Sequence, residues 1–198
     1  LDIPENEELE HQVITYKRLL EPIGIPKSNT NPKLYLRQNE LDACRKTLAE
    51  LHIEPHHLLV GINPGAAFGS AKCWPKERFK ELTAKLLLHP DVRVIYFGDN
   101  TTKPLVDEIT KPFGDKVANV AGKTTLRSFT TMLSLCNCLI TNDSGPMHVA
   151  AALATPLVAI FGSTNEVKTG PYGGGTIVHK HTLCSPCYLR TCPIDFRC

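Results

Sequence analysis

Leu58-Leu-Val-Gly-Ile62 is an apolar run of strand length, and it ends at Asn63-Pro-Gly65. Strands that are apolar throughout, without alternating polar residues, are typical of a parallel sheet that helices cover on both faces. We therefore predict an α/β fold, a Rossmann-like doubly wound parallel sheet. The same pattern of a short, mostly apolar run closed by polar or glycine residues returns at 92–97, 117–120, 139–141 and 157–161.

The segments between these runs have helical periodicity, with apolar residues spaced three or four apart. Two more helices are expected before the first strand, separated by a linker rich in proline and glycine. Six helices are predicted: one that opens the chain, one over about 38–52, one that begins at Pro75, one over about 102–111, one that begins at Leu126 and one over 146–154.

The change of pattern at residue 58 marks the expected domain boundary. Residues 1–57 are interpreted as an interdomain helix, a linker and a lead-in helix, and 58–198 as one domain with a cysteine-rich tail. A helix and an irregular stretch are an unusual start for a complete domain, so we expect the chain to begin within a longer protein.

The composition is that of a soluble globular protein, with 42% hydrophobic and 21% charged residues. No apolar run approaches the ~20 residues that span a bilayer, and the opening residues lack the pattern of a signal peptide. The net charge is only +2, with lysine and arginine spread along the chain, which argues against nucleic acid as the main partner. These observations favour a soluble, non-secreted domain.

Ligands of an open parallel sheet bind beyond the carboxyl ends of its strands, so the loops after strands hold the candidate site. Asn142-Asp-Ser-Gly-Pro-Met-His148 joins a strand to a helix, and Asp143 and Ser144 are predicted to cap that helix. Free N–H groups at Ser144 and Gly145 then make a phosphate site, with His148 one turn further on. The alternative is a well-capped helix with a partly buried histidine.

A second loop, Asn63 to Pro75, also joins a strand to a helix. Gly65 allows close backbone approach, Ser70 offers a hydroxyl and Lys72 a cation, as in a cradle for a diphosphate. No Gly-Lys-Ser/Thr follows the glycines, so this is not a Walker P-loop. The alternative is a glycine-rich turn with a solvated lysine.

The loop Gly98-Asp-Asn100 follows the second strand. A carboxylate or amide at Asp99 or Asn100 could hold a ribose hydroxyl, as an acid does at the end of that strand in dinucleotide-binding sheets. The alternative is an ordinary turn. Because the chain has no Gly-x-Gly-x-x-Gly after its first strand, a dehydrogenase or epimerase is not favoured.

Three segments together resemble the carboxyl-terminal half of a known family. They are Lys72-Cys-Trp-Pro75, Asn142 to Ala152, and Val158-Ala-Ile-Phe-Gly-Ser-Thr164. The family is that of the bacterial ADP-heptose:lipopolysaccharide heptosyltransferases, glycosyltransferase family 9, and the likeness extends to its heptosyltransferase II branch. The resemblance covers about 58–198, and the opening helix resembles the family's interdomain segment.

The resemblance implies the nucleotide-sugar (donor) binding half of a GT-B enzyme. Such an enzyme is inverting, needs no metal or cofactor, and transfers heptose from ADP-heptose to the lipopolysaccharide inner core. Lys72 would stabilise the leaving diphosphate, and as a loop lysine we expect it to face solvent, so that its removal leaves thermal stability nearly unchanged. The donor-binding residues implied are Gly65, Ser70, Lys72, Asp99, Asn100, Thr124, Asp143, Ser144, Gly145 and His148.

The family's catalytic base is a carboxylate in the N-terminal domain, which this sequence does not contain. We therefore expect the chain to bind ADP-heptose and transfer nothing, with the lipid A-core acceptor reached through the other domain. The resemblance also implies a cytoplasmic location with at most peripheral contact with the inner membrane. Two alternatives stay open: the donor domain of another GT-B glycosyltransferase, or a non-catalytic nucleotide-binding module.

Eight cysteines fall into two groups. Those of the tail begin with a Cys-x-x-Cys pair as in zinc and iron–sulfur sites, whereas a reducing compartment favours free thiols. We interpret the tail as a structural cap outside the donor site, with free thiols favoured over a metal. The tail cysteines are Cys184, Cys187, Cys192 and Cys198, and those interpreted as small hydrophobes within strands and helices are Cys44, Cys73, Cys136 and Cys138.

Overall fold

The computed structural model describes residues 10–198, and a six-stranded sheet lies at its centre. Five of the strands coincide with the apolar runs of the sequence. The sixth was not predicted. The strands are β1 (Leu58–Asn63), β2 (Val92–Tyr96), β3 (Val117–Asn119), β4 (Cys138–Asn142), β5 (Leu157–Phe161) and β6 (Thr176–His179).

The strand order is β3-β2-β1-β4-β5-β6, and every neighbouring pair is parallel. The chain first builds outward from β1 to β3 and then returns to the other side of β1 with β4. The topological switch therefore lies between β1 and β4, where Ile62 pairs with Ile140. This order confirms the prediction of a Rossmann-like doubly wound parallel sheet.

Seven helices accompany the strands within residues 10–198, and those predicted from periodicity are all present. Leu126, the first residue of α5, is 76% exposed. The helices are α1 (Gln12–Arg18), α2 (Gln38–Glu50), α3 (Lys76–Leu86), α4 (Lys103–Thr110), α5 (Leu126–Ser134), α6 (Gly145–Leu153) and α7 (Glu166–Thr169).

The sheet is buried on both faces. One core contains Leu48 from α2, Leu133 from α5 and Ala150 from α6, and the other contains Phe79 from α3 and Ile109 from α4. Burying apolar side chains on both faces explains why the central strands read as unbroken apolar runs.

Helix α2 precedes residue 58 yet contributes Cys44 and Leu48 to the core of the sheet. The boundary at 57/58 remains a prediction, but the lead-in helix packs as part of the folded unit. Residues 1–9 of the lead-in lie outside the described part of the chain. Among the helices of residues 10–198, none is both long and apolar enough to cross a membrane.

All eight cysteines are free thiols. Cys44 and Cys136 are buried, as expected of small hydrophobes, while Cys73 and Cys138 are half-buried. Burial raises the pKa of Cys44 to about 11 and raises that of Cys136 further, so neither thiol ionises near neutral pH.

Candidate functional site

The loops after β1 and β4 meet at the switch point of the sheet, and the buried side chain of Asn142 ties them together. Its amide nitrogen donates to the carbonyl oxygen of Pro64 at 2.7 Å, and its oxygen accepts from the backbone N–H of Trp74 at 3.0 Å. One amide thus fixes both ends of the loop that runs from Asn63 to Pro75. Such a satisfied buried polar group holds a loop in a single geometry.

A buried ion pair links the same two loops. Lys72 Nζ lies 2.5 Å from Asp143 Oδ2, and the Thr164 hydroxyl donates to that oxygen at 2.6 Å. The side chains of Lys72 and Asp143 are 13% and 5% exposed. The Lys72 ammonium also lies 5.0 Å from the centre of the Phe68 ring. Lys72 is therefore held beside the switch point by Asp143 and by the Phe68 ring, while Thr164 supports Asp143.

This geometry corrects the expectation that Lys72 faces solvent. A loop position does not imply exposure, because the loop folds back over the carboxyl end of β4. The expectation that removal of the Lys72 side chain leaves thermal stability unchanged is corrected as well. Such a substitution would leave the nearly buried carboxylate of Asp143 without its cation.

Helix α6 begins at Gly145 with no side-chain cap. Ser144 occupies the cap position with extended backbone, but its hydroxyl donates to the carbonyl oxygen of Asn142 instead. Asp143, the other predicted cap, is committed to Lys72 and Thr164. The prediction that Asp143 and Ser144 cap this helix is therefore wrong. Because Pro146 has no N–H and the Met147 N–H donates to the carbonyl oxygen of Ser144 at 3.0 Å, the N–H groups of Ser144 and Gly145 are the ones that remain for a ligand.

A cleft of about 330 Å³ lies beside the start of α6. Leu126 and Phe129 of α5 form an apolar wall, and Ser144 and Gly145 line the side next to the helix. Thr124, one of the donor-binding residues that the resemblance implies, also lines it. A cleft with one apolar wall and a few polar groups is typical of sites for small organic ligands.

Two of the predicted residues after β2 are separated by the structure. Asp99 lines the cleft, whereas Asn100 does not and instead lies against Gly122. Asp99 Oδ1 accepts from the Thr102 backbone N–H at 2.7 Å and from the hydroxyls of Thr102 and Thr101. These bonds, that of the Thr102 hydroxyl above all, lower the pKa of Asp99 below its usual value. Asp99 is thus the anionic group on this wall of the cleft.

Comparison with known proteins assigns the chain to a family. Residues 4–196 match the family model for Glycosyltransferase family 9 (heptosyltransferase). The chain belongs to glycosyltransferase family 9. Among curated relatives in this family, the chain is 32% identical to a lipooligosaccharide heptosyltransferase 2 of Campylobacter jejuni and 39% identical to a lipopolysaccharide heptosyltransferase 2 of Salmonella typhimurium.

The chain spans only about half the length of these family 9 relatives. The first match covers 93% of this chain and 57% of the relative, and the second covers 74% and 42%. The solved structure of E. coli ADP-heptose lps heptosyltransferase II matches 77% of this chain and 46% of its own, with a TM-score of 0.67 and 31% identity. A family 9 glycosyltransferase of Veillonella parvula matches 91% and 51%, with a TM-score of 0.79 and 27% identity.

Not all the donor-binding residues expected of a family 9 domain share one cleft. Ser70 is exposed and does not line the cleft beside α6. His148 is exposed and lines a neighbouring cavity of about 260 Å³ with His11 and Tyr172. Although the residue is exposed overall, its imidazole is partly desolvated where it lines this cavity, and this lowers the pKa of His148. The predicted residues therefore do not share one cavity: Gly65, Asp99, Thr124, Ser144 and Gly145 line the cleft beside α6, Lys72 lines a second cavity and His148 a third.

Gly65 has a structural role that the sequence did not indicate. A β-carbon at this position would lie 2.6 Å from Thr102 Cγ2, which is too close for any real contact. Glycine is therefore needed here for the close approach of two loops of the protein, and not only for a ligand.

The cysteine-rich tail lies nearer to the site than the sequence predicted. The carbonyl oxygen of Arg190 accepts from the Ala71 N–H at 3.0 Å. A β-carbon at Gly69, where φ is +152°, would lie 2.2 Å from that carbonyl. Cys198 and Lys72 line the same cavity. The tail thus holds the loop that carries Lys72, which corrects its interpretation as a cap apart from the donor site.

Three residues that position the candidate site were not among the predicted site residues: Asn142, Thr102 and Thr164. Thr164 is the most informative, because it lies in the loop just after β5, which ends at Phe161, and it binds Asp143 from there. The rule that ligand sites follow the ends of parallel strands could have found it. The partners of Asn142, by contrast, are backbone atoms of a distant loop, and no sequence pattern reveals them.

Proposed function

We propose that the chain binds ADP-heptose as the donor half of an inverting heptosyltransferase that acts on the lipopolysaccharide inner core. The observation that carries this proposal is the position of Lys72. Its nearly buried ammonium lies against Asp143 at the switch point, next to the uncapped start of α6 and the cleft with an apolar wall. This combination offers a cation and backbone N–H groups for a diphosphate, and an adjoining cleft for a nucleoside.

The reaction explains why these groups would be needed. Breaking the bond between the anomeric carbon and the phosphate oxygen gives an oxocarbenium-like sugar and a diphosphate that gains negative charge. Lys72 and the N–H groups at the start of α6 would stabilise that charge more in the transition state than in the bound donor. A fixed ammonium and a helix start supply the electrostatic stabilisation that a divalent metal supplies elsewhere.

The buried pair also defines how Lys72 would act. In the free chain its ammonium is neutralised by Asp143, so a diphosphate has to share the cation with that carboxylate. Thr164 donates to the same carboxylate oxygen and stabilises its charge when the ammonium turns toward the ligand. Asp143 would thus keep Lys72 in place as a positioning residue.

Acceptor attack requires a general base, and we infer that the base lies outside this chain. The acceptor hydroxyl would attack the anomeric carbon from the face opposite the diphosphate, with inversion. The chain by itself is expected to bind donor without transferring heptose. The lipid A-core acceptor, a cytoplasmic location and at most peripheral contact with the inner membrane belong to the same proposal.

Calorimetric titration of the chain with ADP, UDP and GDP tests the nucleotide. We expect ADP to bind with a millimolar to micromolar dissociation constant in the presence of a chelator, and more tightly than UDP or GDP. Equal binding of the three nucleotides would favour the donor domain of another GT-B enzyme. Binding that appears only when Mg²⁺ is added would overturn the metal-independent mechanism.

A further inference from the structure

A cluster of three potential metal ligands lies beside the β6 edge of the sheet, and none of them lines the cleft beside α6. His179 Nδ1 is 2.9 Å from Glu166 Oε2, and His181 Nε2 is 3.5 Å from Glu166 Oε1. One ligand atom from each residue lies within 4.8 Å of both others. The two imidazole rings pack against each other at 4.2 Å between centroids. Glu166 belongs to α7, and His179 ends β6.

The hydrogen bonds of Ser185 define the tautomer of His179. The Ser185 hydroxyl donates to the carbonyl oxygen of Gly162, which can only accept. Its single proton is used there, so the 2.8 Å contact with His179 Nε2 requires that this nitrogen carries a hydrogen and donates it to Ser185. A neutral His179 therefore has its lone pair on Nδ1.

That lone pair faces a carboxylate. In the neutral tautomer, Nδ1 of His179 and Oε2 of Glu166 would oppose two lone pairs at 2.9 Å. The His179 side chain is only 3% exposed, which leaves little room for water to relieve the repulsion. A proton or a cation has to relieve this repulsion: a second proton on the imidazole, a proton on the Glu166 carboxyl group, or a metal cation bound to both atoms.

We propose that Glu166, His179 and His181 bind a zinc ion. Imidazole nitrogen and carboxylate oxygen are ordinary zinc ligands, and imidazoles favour zinc over magnesium or calcium. Metal bonds of about 2.0–2.1 Å in a tetrahedron place ligand atoms about 3.3 Å apart. The two histidine nitrogens lie 2.9 and 3.5 Å from different oxygens of the Glu166 carboxylate, and one ligand atom from each residue lies within 4.8 Å of the others, so small side-chain rotations would bring all three to one ion. Solvent would take the fourth position, because His181 is 71% exposed.

Ser185 completes the arrangement expected around a metal-bound histidine. A ligating histidine generally donates its other ring N–H to an oxygen, which fixes the orientation of the ring. His179 does this through Nε2, and Ser185 is itself fixed by Gly162. The ion would join α7 to β6, an edge strand in which Ile177 and Val178 are exposed. Its role is to fasten this edge, close to the loop that carries Thr164.

The tail thiols are the competing zinc ligands of this chain, so the experiment has to separate them from the histidines. The 198-residue chain is purified with a reductant, freed of metal and titrated with ZnCl₂, and in parallel with Co²⁺ followed by its absorption spectrum. We expect one tight cobalt site whose spectrum lacks the near-ultraviolet charge-transfer band of thiolate ligands. Saturating zinc should also raise the melting temperature.

Three variants assign the site. H181A changes an exposed side chain and E166Q keeps the size of the half-buried one, and both are expected to abolish this cobalt signal and its equivalent of zinc. Ser185→Ala should keep the site but weaken it about 10-fold, as loss of a partner behind a ligand does. The matched control is His89→Ala, which removes another exposed histidine and should change nothing.

The proposal fails if H181A and E166Q bind cobalt and zinc as the unchanged chain does. It also fails if all bound cobalt shows the thiolate band, or if no metal binds. In the last case a proton occupies the contact between His179 and Glu166, and the cluster is a hydrogen-bonded pair only.

Discussion

Lys72 and Lys103 each place Nζ 2.5 Å from an aspartate oxygen, that of Asp143 in one case and of Asp107 in the other. The first pair joins two loops and is 13% and 5% exposed, whereas the second lies one turn apart on α4 and is 45% exposed on both sides. Equal distances therefore conceal unequal energetics. Water screens the second pair, while each partner of the first depends on the other for its charge to be tolerated.

A third pair lies between these extremes. The Arg127 guanidinium binds both carboxylate oxygens of Glu40, at 2.7 and 2.6 Å, and so joins α5 to α2. The Glu40 carboxylate also accepts from the Arg37 backbone N–H at 2.7 Å. Its two hydrogen bonds make this ion pair stronger than the single contact of Lys103 with Asp107. It is more exposed to solvent than the pair of Lys72 with Asp143, and is therefore expected to be weaker than that pair.

The largest effect is expected from Asp143→Ala. This change leaves the nearly buried ammonium of Lys72 unpaired, and breaking a buried pair from one side costs about 3–5 kcal/mol of stability. Urea unfolding measures the loss. Adding Lys72→Met to the same chain should recover much of it, because the unpaired charge is then gone. A loss below about 1 kcal/mol for Asp143→Ala would show that water reaches this pair.

The next effect concerns binding. Lys72→Ala should weaken ADP binding by about 1.5–3 kcal/mol, the range of a hydrogen bond to a charged group. It should also lower stability, in contrast to what a solvated loop lysine would do. Calorimetry with ADP measures the first effect and urea unfolding the second, with Lys103→Ala as the matched control. Unchanged ADP affinity together with lowered stability would make Lys72 a structural residue only.

The pair between Glu40 and Arg127 predicts a pH effect. The hydrogen bond from Arg127, followed by that from the Arg37 backbone, lowers the pKa of Glu40 from 4.5 to about 2. Because the pKa is lower in the folded state, the stabilisation is complete above pH 4.5 and is lost as the pH falls toward 2. The free energy of unfolding, measured across this pH window, should fall less steeply with acid for Glu40→Gln than for the unchanged chain. Parallel curves would contradict the assignment.

The smallest effect is expected from Lys103→Ala. Its partner Asp107 also accepts from Asn119 at 2.7 Å, and both charges are well solvated. Neither urea unfolding nor ADP affinity should change beyond experimental error. A clear loss of stability would mean that distance, and not burial, determines the strength of these pairs.

The fold was predictable because each central strand is a continuous apolar run, and a short run of this kind between helical segments indicates a buried parallel strand. Strand β6 was not predicted because it lies at the edge of the sheet, follows three glycines and carries exposed threonine, isoleucine and valine side chains. The position of β6 is fixed by its pairing with β5, and the residues of β6 alone do not predict that pairing.

The location of the candidate site could be predicted from the sequence, but most of the contacts within it could not. Topology alone places the loops after β1, β2 and β4 at one edge, and Asp143, Gly145 and Lys72 were found there. The burial of Lys72 and the failure of Ser144 to cap α6 depend on competing partners far away in the chain. Local patterns predict which groups are available, but only the folded chain determines which partner each group takes.

The contact between Arg190 and the loop of Lys72 has a consequence for the order of events during synthesis. The first strands and this loop leave the ribosome long before Arg190 does, and at about 5–20 residues per second the interval is on the order of ten seconds. The sheet can begin to form in that time, but the loop lacks the carbonyl that holds Ala71. The arrangement around Lys72 is therefore among the last parts of the molecule to become ordered, and the growing chain remains without a finished site until the tail has been made.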